Sequence, residues 1–205
     1  MRLLTFRKRL IKRRMWIMAR HTRGAIIDSF WTLLNEKSLD KITVKDVIEL
    51  AEINRNTFYY HFEDLYALLD TVFREEAERY RSNIDENGTF YEEYIRAASV
   101  FMDNRNAIIH VYNSKGKEVL NKYMKDASDD LVSRFVRQKA KGTDLPDEGS
   151  SYITRFYSYA IVGITMEWVE NGMPEYRKNL LKTVSETFES TIDMMIKNYI
   201  VHNIK

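Results

Sequence analysis

The chain has 205 residues, 44% of them hydrophobic and 30% charged, an ordinary globular composition with room for a small domain and a larger one. Only 2 prolines and 7 glycines interrupt it, which favours long helices and excludes a turn-rich all-β fold; the lack of cysteine excludes disulfides, thiolate metal sites and a cysteine nucleophile. The net charge of +2 is uneven, because residues 1–23 carry nine Lys/Arg and no Asp/Glu and leave the remainder at −7.

Residues 1–20 therefore read as a basic N-terminal extension. It is an arm for phosphate backbones, a solvated leader, an amphipathic surface segment in which Leu3, Phe6, Leu10 and Trp16 interleave the bases, or residues upstream of a start at Met15 or Met18. No apolar run approaches the roughly 18 residues of a membrane span, and no secretory signal is legible. A soluble cytoplasmic protein without a membrane partner is expected.

Ile26, Ile27, Phe30, Leu33 and Leu34 recur at helical spacing and predict a first helix from about Thr22 to Lys37. Thr43 and Asp46 form a capping-box pattern that opens a short second helix holding Val44, Val47, Ile48 and Ala51. After a turn at Glu52-Ile53, Asn54 caps a third short helix through Phe58 to His61. Asp64 caps a long fourth helix with Leu65, Leu68, Leu69, Val72 and Phe73 as its stripe.

Asn87-Gly88 predicts a turn, and Thr89 with Glu92 a capping box for a helix through Met102. A short helix over Asn106–Tyr112, a longer one over Lys117–Lys139 and a loop at 142–149 follow. Two long helices, Ser151–Glu170 and Glu175 to about His202, are separated by Gly172-Met173-Pro174, where glycine suits the left-handed position after a helix. The fold class is all-α: a three-helix helix-turn-helix unit over 21–66 and a helical ligand-binding and dimerisation domain over 67–205.

Ile42-Thr43-Val44 and Ala51-Glu52-Ile53-Asn54-Arg55-Asn56-Thr57-Phe58-Tyr59-Tyr60-His61-Phe62 resemble the DNA-binding signature of TetR-type regulators over roughly residues 22–70. A short helix with polar residues at its N-terminal end fits a major groove and presents them to bases and phosphates. The resemblance implies a phosphate contact at Thr43, with Lys45 on the same helix, and places Asn54, Arg55, Asn56 and Thr57 at the entering end of the recognition helix. Arg55 pairs with guanine or with phosphate. Tyr59, Tyr60 and His61 are implied backbone contacts, the alternative being that one tyrosine packs inward, while Phe58 and Phe62, four apart, are core.

The chain departs from that pattern twice. Glu52 stands where such proteins usually have glycine, and Leu65 where they often have lysine. From Gly24 to Phe62, four Lys/Arg face six acids, a weak electrostatic footprint for a DNA-binding unit that the basic extension would offset.

Tyr157 to Pro174, with the run Tyr159-Ala160-Ile161-Val162-Gly163 and its exit Asn171-Gly172-Met173-Pro174, resembles the C-terminal domain of the TetR-type subgroup that includes regulators of dihydroxyacetone kinase operons. By that resemblance the last two helices pair with those of a second subunit. Leu181, Val184, Phe188, Ile192 and Met195 form an apolar stripe, expected, with Tyr159 and Gly163, at the interface of a homodimer; the alternative is ordinary intramolecular core. Phe101, Met102, His110, Tyr112, Tyr123, Phe135, Phe156 and Trp168 are candidates to line a pocket for an apolar or aromatic effector, or are simply core.

The expected function is a regulator that binds a palindromic double-stranded DNA operator as a dimer, a repressor with small-molecule control. The alternative is an interaction partner or coactivator that keeps the fold without binding DNA. No metal-ligand spacing links His21, His61, His110 and His202, and neither a phosphate loop nor a nucleophile motif is present. No catalytic residue, metal or cofactor is expected.

Overall fold

A computed structural model of the chain describes residues 21–85, 87–174 and 178–203. The basic extension 1–20 and the expected helix start at Glu175 lie outside the described residues. Among the described residues there is no strand, and no helix is long and apolar enough to cross a membrane.

Helix α1 covers residues 21–36, and a single 3-10 turn, Leu39–Lys41, leads to α2 (Val44–Leu50) and α3 (Arg55–His61). The starts of α2, α3 and the helix that follows them are each built by a side chain, as the sequence predicts. Thr43 Oγ1 accepts from the Asp46 amide at 3.2 Å while the Asp46 carboxylate accepts from the Thr43 amide at 2.7 Å, so two orphan donors are satisfied reciprocally. Asn54 Oδ1 accepts from the Thr57 amide at 2.9 Å. Asp64 Oδ1 accepts from the amides of Tyr66 and Ala67, both at 2.8 Å, and opens α4 (Leu65–Ser82).

The remaining helices are α5 (Phe90–Asp103), α6 (Arg105–Tyr112), α7 (Lys117–Lys139), α8 (Asp147–Glu170) and α9 (Lys178–Asn203). Two apolar cores hold them. The first joins α1 to α4 with α6, the start of α7 and the end of α8; the second joins α5, the end of α7, the start of α8 and α9. Phe73 on α4 stacks on Tyr123 of α7 at 4.8 Å and Tyr123 on Phe101 of α5 at 6.0 Å. The helix-turn-helix unit is thereby seated directly on the body.

One boundary differs from expectation. The segment 142–149 is not loop throughout, because α8 begins at Asp147. Pro146 is its N-cap residue, and Asp147 and Glu148 in the first turn complement the positive helix end. Gly149, a loop signal in the sequence, is a close-approach residue: a Cβ there would stand 2.7 Å from Leu145 Cδ1 and from the Tyr199 ring.

Candidate nucleic-acid interface

The two short helices of the N-terminal unit turn their apolar residues inward and leave a polar face outside. Phe58 and Phe62 are buried with Val47, Leu68 and Phe30. Thr43, Lys45, Asn54, Arg55, Asn56, Tyr59 and Tyr60 are exposed, with Thr57 and His61 half-buried. All nine sequence-predicted contact residues are therefore brought to the end of the molecule that carries α2 and α3. Neither tyrosine packs inward, and Tyr60 is 80% exposed.

Their side chains are not equally free. Asn54 Oδ1 caps α3 and also accepts from the Thr57 hydroxyl at 3.1 Å, while the Thr43 hydroxyl donates to Asp46 at 2.8 Å. Lys45 lies 3.6 Å from Glu49. Arg55 projects beside Tyr59, its guanidinium 5.6 Å from the ring centroid and Nη2–H donating to the phenol oxygen at 3.4 Å. Arg55, Asn56, Tyr59 and Tyr60 remain to reach outward. Arg and Asn are the residue types that read guanine and adenine edges bidentately, and exposed tyrosines suit phosphate and sugar contacts.

His61 packs edge-to-face on Tyr60 at 5.0 Å. Burial, and then the nearby Arg23 guanidinium, hold its pKa below the usual 6.5, so at neutral pH it presents a neutral imidazole. In the sequence Arg23 stands out only as the last of the nine bases of residues 1–23. The fold places it over the Phe62 ring at 5.7 Å and in an ion pair with Glu75 of α4. Tyr66, exposed in the first turn of α4 beside Leu65, is equally invisible in the sequence as a surface group, since only the cap geometry decides which residue of that turn faces out.

The turn between α2 and α3 carries the strain that its sequence implies. Glu52 has φ +52°, in the left-handed region that costs an L side chain roughly 1–2 kcal/mol. The Ile53 amide, donating to Ile48 at 3.0 Å, closes the turn around it.

The candidate effector residues are dispersed. Phe101 and Tyr123 line a cavity of about 40 Å³ between α4, α5, α7 and α8. The other six do not line it. Met102 is half-buried against the first core. His110 donates from Nδ1 to the Leu34 carbonyl at 2.6 Å, a strut between α6 and α1. Tyr112 lies under the Lys117 ammonium at 3.9 Å, Phe135 packs on Phe90 at 5.2 Å, and Trp168 donates to the Pro174 carbonyl at 3.2 Å. Phe156 is exposed on α8.

The expected dimer stripe on α9 needs correction. Leu181, Phe188 and Ile192 are 4%, 1% and 0% exposed, covered by this chain's own helices, with Phe188 stacked on Phe90 of α5 at 4.0 Å. Val184 and Met195 are half-buried. The apolar surface left open lies mainly on α8, where Tyr152, Phe156, Tyr159 and Gly163 are exposed. Beside it a groove of about 340 Å³ runs between α8 and α9, floored by Ala160, Ile164, Leu180 and Val184. Of the seven residues expected at the interface, Tyr159 and Gly163 alone are fully on this face.

Known proteins share both halves of the chain. Residues 26–72 match the family model of bacterial regulatory proteins of the tetR family, and residues 88–190 match that of a transcriptional regulator C-terminal region. The HTH-type dhaKLM operon transcriptional activator DhaS of Lactococcus lactis is 25% identical over 168 residues, spanning 74% of this chain and 81% of that protein. The solved structure of a dihydroxyacetone kinase operon activator DhaS superposes with a TM-score of 0.70 at 19% identity, covering 84% of this chain and 97% of that one. A TetR-family transcriptional regulator from Syntrophomonas wolfei superposes with a TM-score of 0.57, also at 19% identity, covering 91% and 97%. At such identities the solved structures speak for the fold alone.

Proposed function

We propose, because this chain belongs to the TetR family of bacterial transcriptional regulators, that it binds a palindromic operator as a homodimer in the cytoplasm, with α3 entering the major groove. The observation that carries this is the joint exposure of Arg55, Asn56, Tyr59 and Tyr60 on a short helix whose opposite side is locked in the core by Phe58. In this reading Arg55 and Asn56 read base edges. Tyr59, Tyr60 and His61 contact the backbone, with Thr43, Lys45, Asn54 and Thr57 beside them and Arg23 and Tyr66 as further phosphate contacts. A twofold dimer sets two α3 helices about 34 Å apart, one turn of DNA. The open face of α8 and the α8–α9 groove form its interface, because an apolar surface of this extent is otherwise left to water.

The finer reading is repression by operator occupancy, relieved or reinforced by a small effector in the body that prefers one conformation. Activation is the second reading, favoured by one observation: a relative that aligns with most of this chain is itself named an operon activator. A reporter fused to the upstream promoter, in cells with and without the gene, decides the sign.

DNA binding is tested with the purified protein and its own upstream DNA at two salt concentrations, beside an Arg55→Ala/Tyr59→Ala variant. Specific binding that weakens steeply with salt and is lost in the variant is expected. No specific binding there, and none in a selection from genomic DNA, would refute the operator reading in favour of a partner protein that keeps the fold.

A further inference from the structure

Helix interiors are normally packed to crystal-like density, so a point where several helices all present alanine needs a reason. Ala77 of α4, Ala97 and Ala98 of α5 and Ala127 of α7 converge on the cavity of about 40 Å³. That is the space of a single water. Met124, an unbranched and adaptable side chain, lies along its wall. Tyr80, Ala97, Ala127 and Asp130 are the lining residues only half-buried, and they form its mouth. An occupant that displaces Met124 and seats against four methyl groups is compact, about one ring in size.

The charges around the cavity set its chemistry. Among the described residues the ionised groups at or behind the wall are ion-paired: Asp130 with Arg81 at 2.6 Å, Glu76 with Arg79 at 2.9 Å, and Glu93 with Arg96 at 3.0 Å and with Arg134 at 3.2 Å, the Arg134 Nε and Nη2 being held by charge without a hydrogen bond. The phenol of Tyr80 donates to Glu93 at 3.2 Å. Burial, then Glu76, push the Tyr123 phenol up to about 12, so it stays an uncharged hydroxyl. Among the described residues an anion would meet no unpaired cation there, and a cation no unpaired carboxylate; an uncompensated buried charge is prohibitive. One polar point is exchangeable. Tyr94 and Thr165 share a hydroxyl–hydroxyl contact of 3.3 Å, long for such a bond and open to insertion of a third oxygen.

We propose that this cavity receives a compact neutral molecule, largely apolar, with one hydroxyl or carbonyl oxygen that seats between Tyr94 and Thr165. The inference rests on the reading of the helical body as a sensor, and adds to it the site, the size class and the charge class of what is sensed.

The test uses three probes that share a ring and differ in charge: benzyl alcohol, benzoate and benzylammonium. Binding to the full-length protein is followed by ligand-observed NMR and by thermal shift. Saturable binding of benzyl alcohol is expected, with benzoate and benzylammonium at least tenfold weaker. Ala97→Leu and Ala127→Leu, both at half-buried positions, should each weaken the alcohol at least tenfold with an unchanged helical spectrum. Thr165→Val should weaken the alcohol and spare toluene. Absence of saturable alcohol binding, benzoate or benzylammonium as tight as the alcohol, or undiminished binding in both leucine variants would overturn the proposal. Upstream-DNA binding by the ligand-free protein is measured beside it. Its loss with probe binding intact removes the operator reading alone, and the converse removes the cavity alone.

Discussion

The Glu52 turn gives the most direct check on the physical account of the recognition unit. Glu52 is exposed, makes no ion pair among the described residues, and is held at φ +52° by the turn that joins α2 to α3. Replacing it with glycine removes a left-handed penalty of roughly 1–2 kcal/mol and adds about 0.5–1 kcal/mol of unfolded-chain entropy. Glu52→Gly should therefore stabilise the protein by about 0.5–1 kcal/mol, a rise of roughly 1–4 °C in Tm for a chain of this size. Glu52→Ala keeps a Cβ in the same conformation and should gain nothing, and Glu52→Asn should fall between, since asparagine tolerates this region. Urea unfolding of the four proteins at one fixed concentration, to hold any dimer linkage constant, reads the series. Alanine as stable as glycine, or glycine less stable than glutamate, would refute the claim that backbone strain is stored here.

Three further outcomes are expected. Asp46→Ala removes a capping box and should cost about 1 kcal/mol; the Thr43 amide, the Thr43 hydroxyl and Lys37 hold the Asp46 pKa below its ordinary 3.8. Its contribution is thus complete above pH 3.8 and lost as the pH falls through the lower folded value, a loss that acid titration of wild type against the variant isolates. His61 is held below 6.5 in the free protein, so its contribution to stability is full above pH 6.5 and declines below it; phosphates at the proposed interface favour the protonated ring. Operator affinity should rise from about pH 7.5 to about pH 6, and rise less in His61→Gln, by fluorescence anisotropy at constant salt. Beyond its own stretch of helix, nothing among the described residues lies within 4 Å of where a Cβ on Gly163 would stand, so Gly163→Leu should leave the thermal stability of the monomer intact or improve it while weakening the proposed dimer at least tenfold by sedimentation; an unchanged dimer would remove Gly163 from the interface.

Local chemistry is legible wherever one residue decides one hydrogen bond. Thr43, Asn54, Asp64 and Thr89 all cap as the sequence predicts, Thr89 accepting from the Glu92 amide at 3.2 Å, because a cap is specified within four residues. The outward face of α3 is legible for the same reason: Phe58 and Phe62 fix which side is core, and the polar residues between them then face out. Distant pairings are not. That Arg23 reaches Glu75 and His110 reaches Leu34 depends on how α1 sits on α4 and α6, which no local pattern encodes. The aromatic residues of the body show the same limit, since type and period mark them as buried without saying which cavity, if any, they share. The four alanines at the cavity, small and inconspicuous in a helical sequence, carry more information there than the large residues.

Three residues of the expected dimer stripe, Leu181, Phe188 and Ile192, are covered within the chain, and the reason directs the proposed dimer to another face. Periodicity identifies an apolar face but not what covers it, and the regular stripe of α9 through Leu181, Phe188 and Ile192 is satisfied within the chain by α5 and α8. Helix α8 is different. Ile153, Tyr157, Ile161, Thr165 and Trp168 form its inward stripe, and Tyr152, Phe156, Tyr159 and Gly163 form a second one, at steps of four, three and four, that the chain leaves open. A helix apolar on one face is explained by its own domain; one apolar on two faces needs a second surface to pack against. In the proposed dimer, whose two recognition helices must be spaced by something rigid, that second surface is most economically another copy of α8, which would bury Tyr159, at 64% the most open aromatic of the body among the described residues, and bring the Gly163 backbones into close approach.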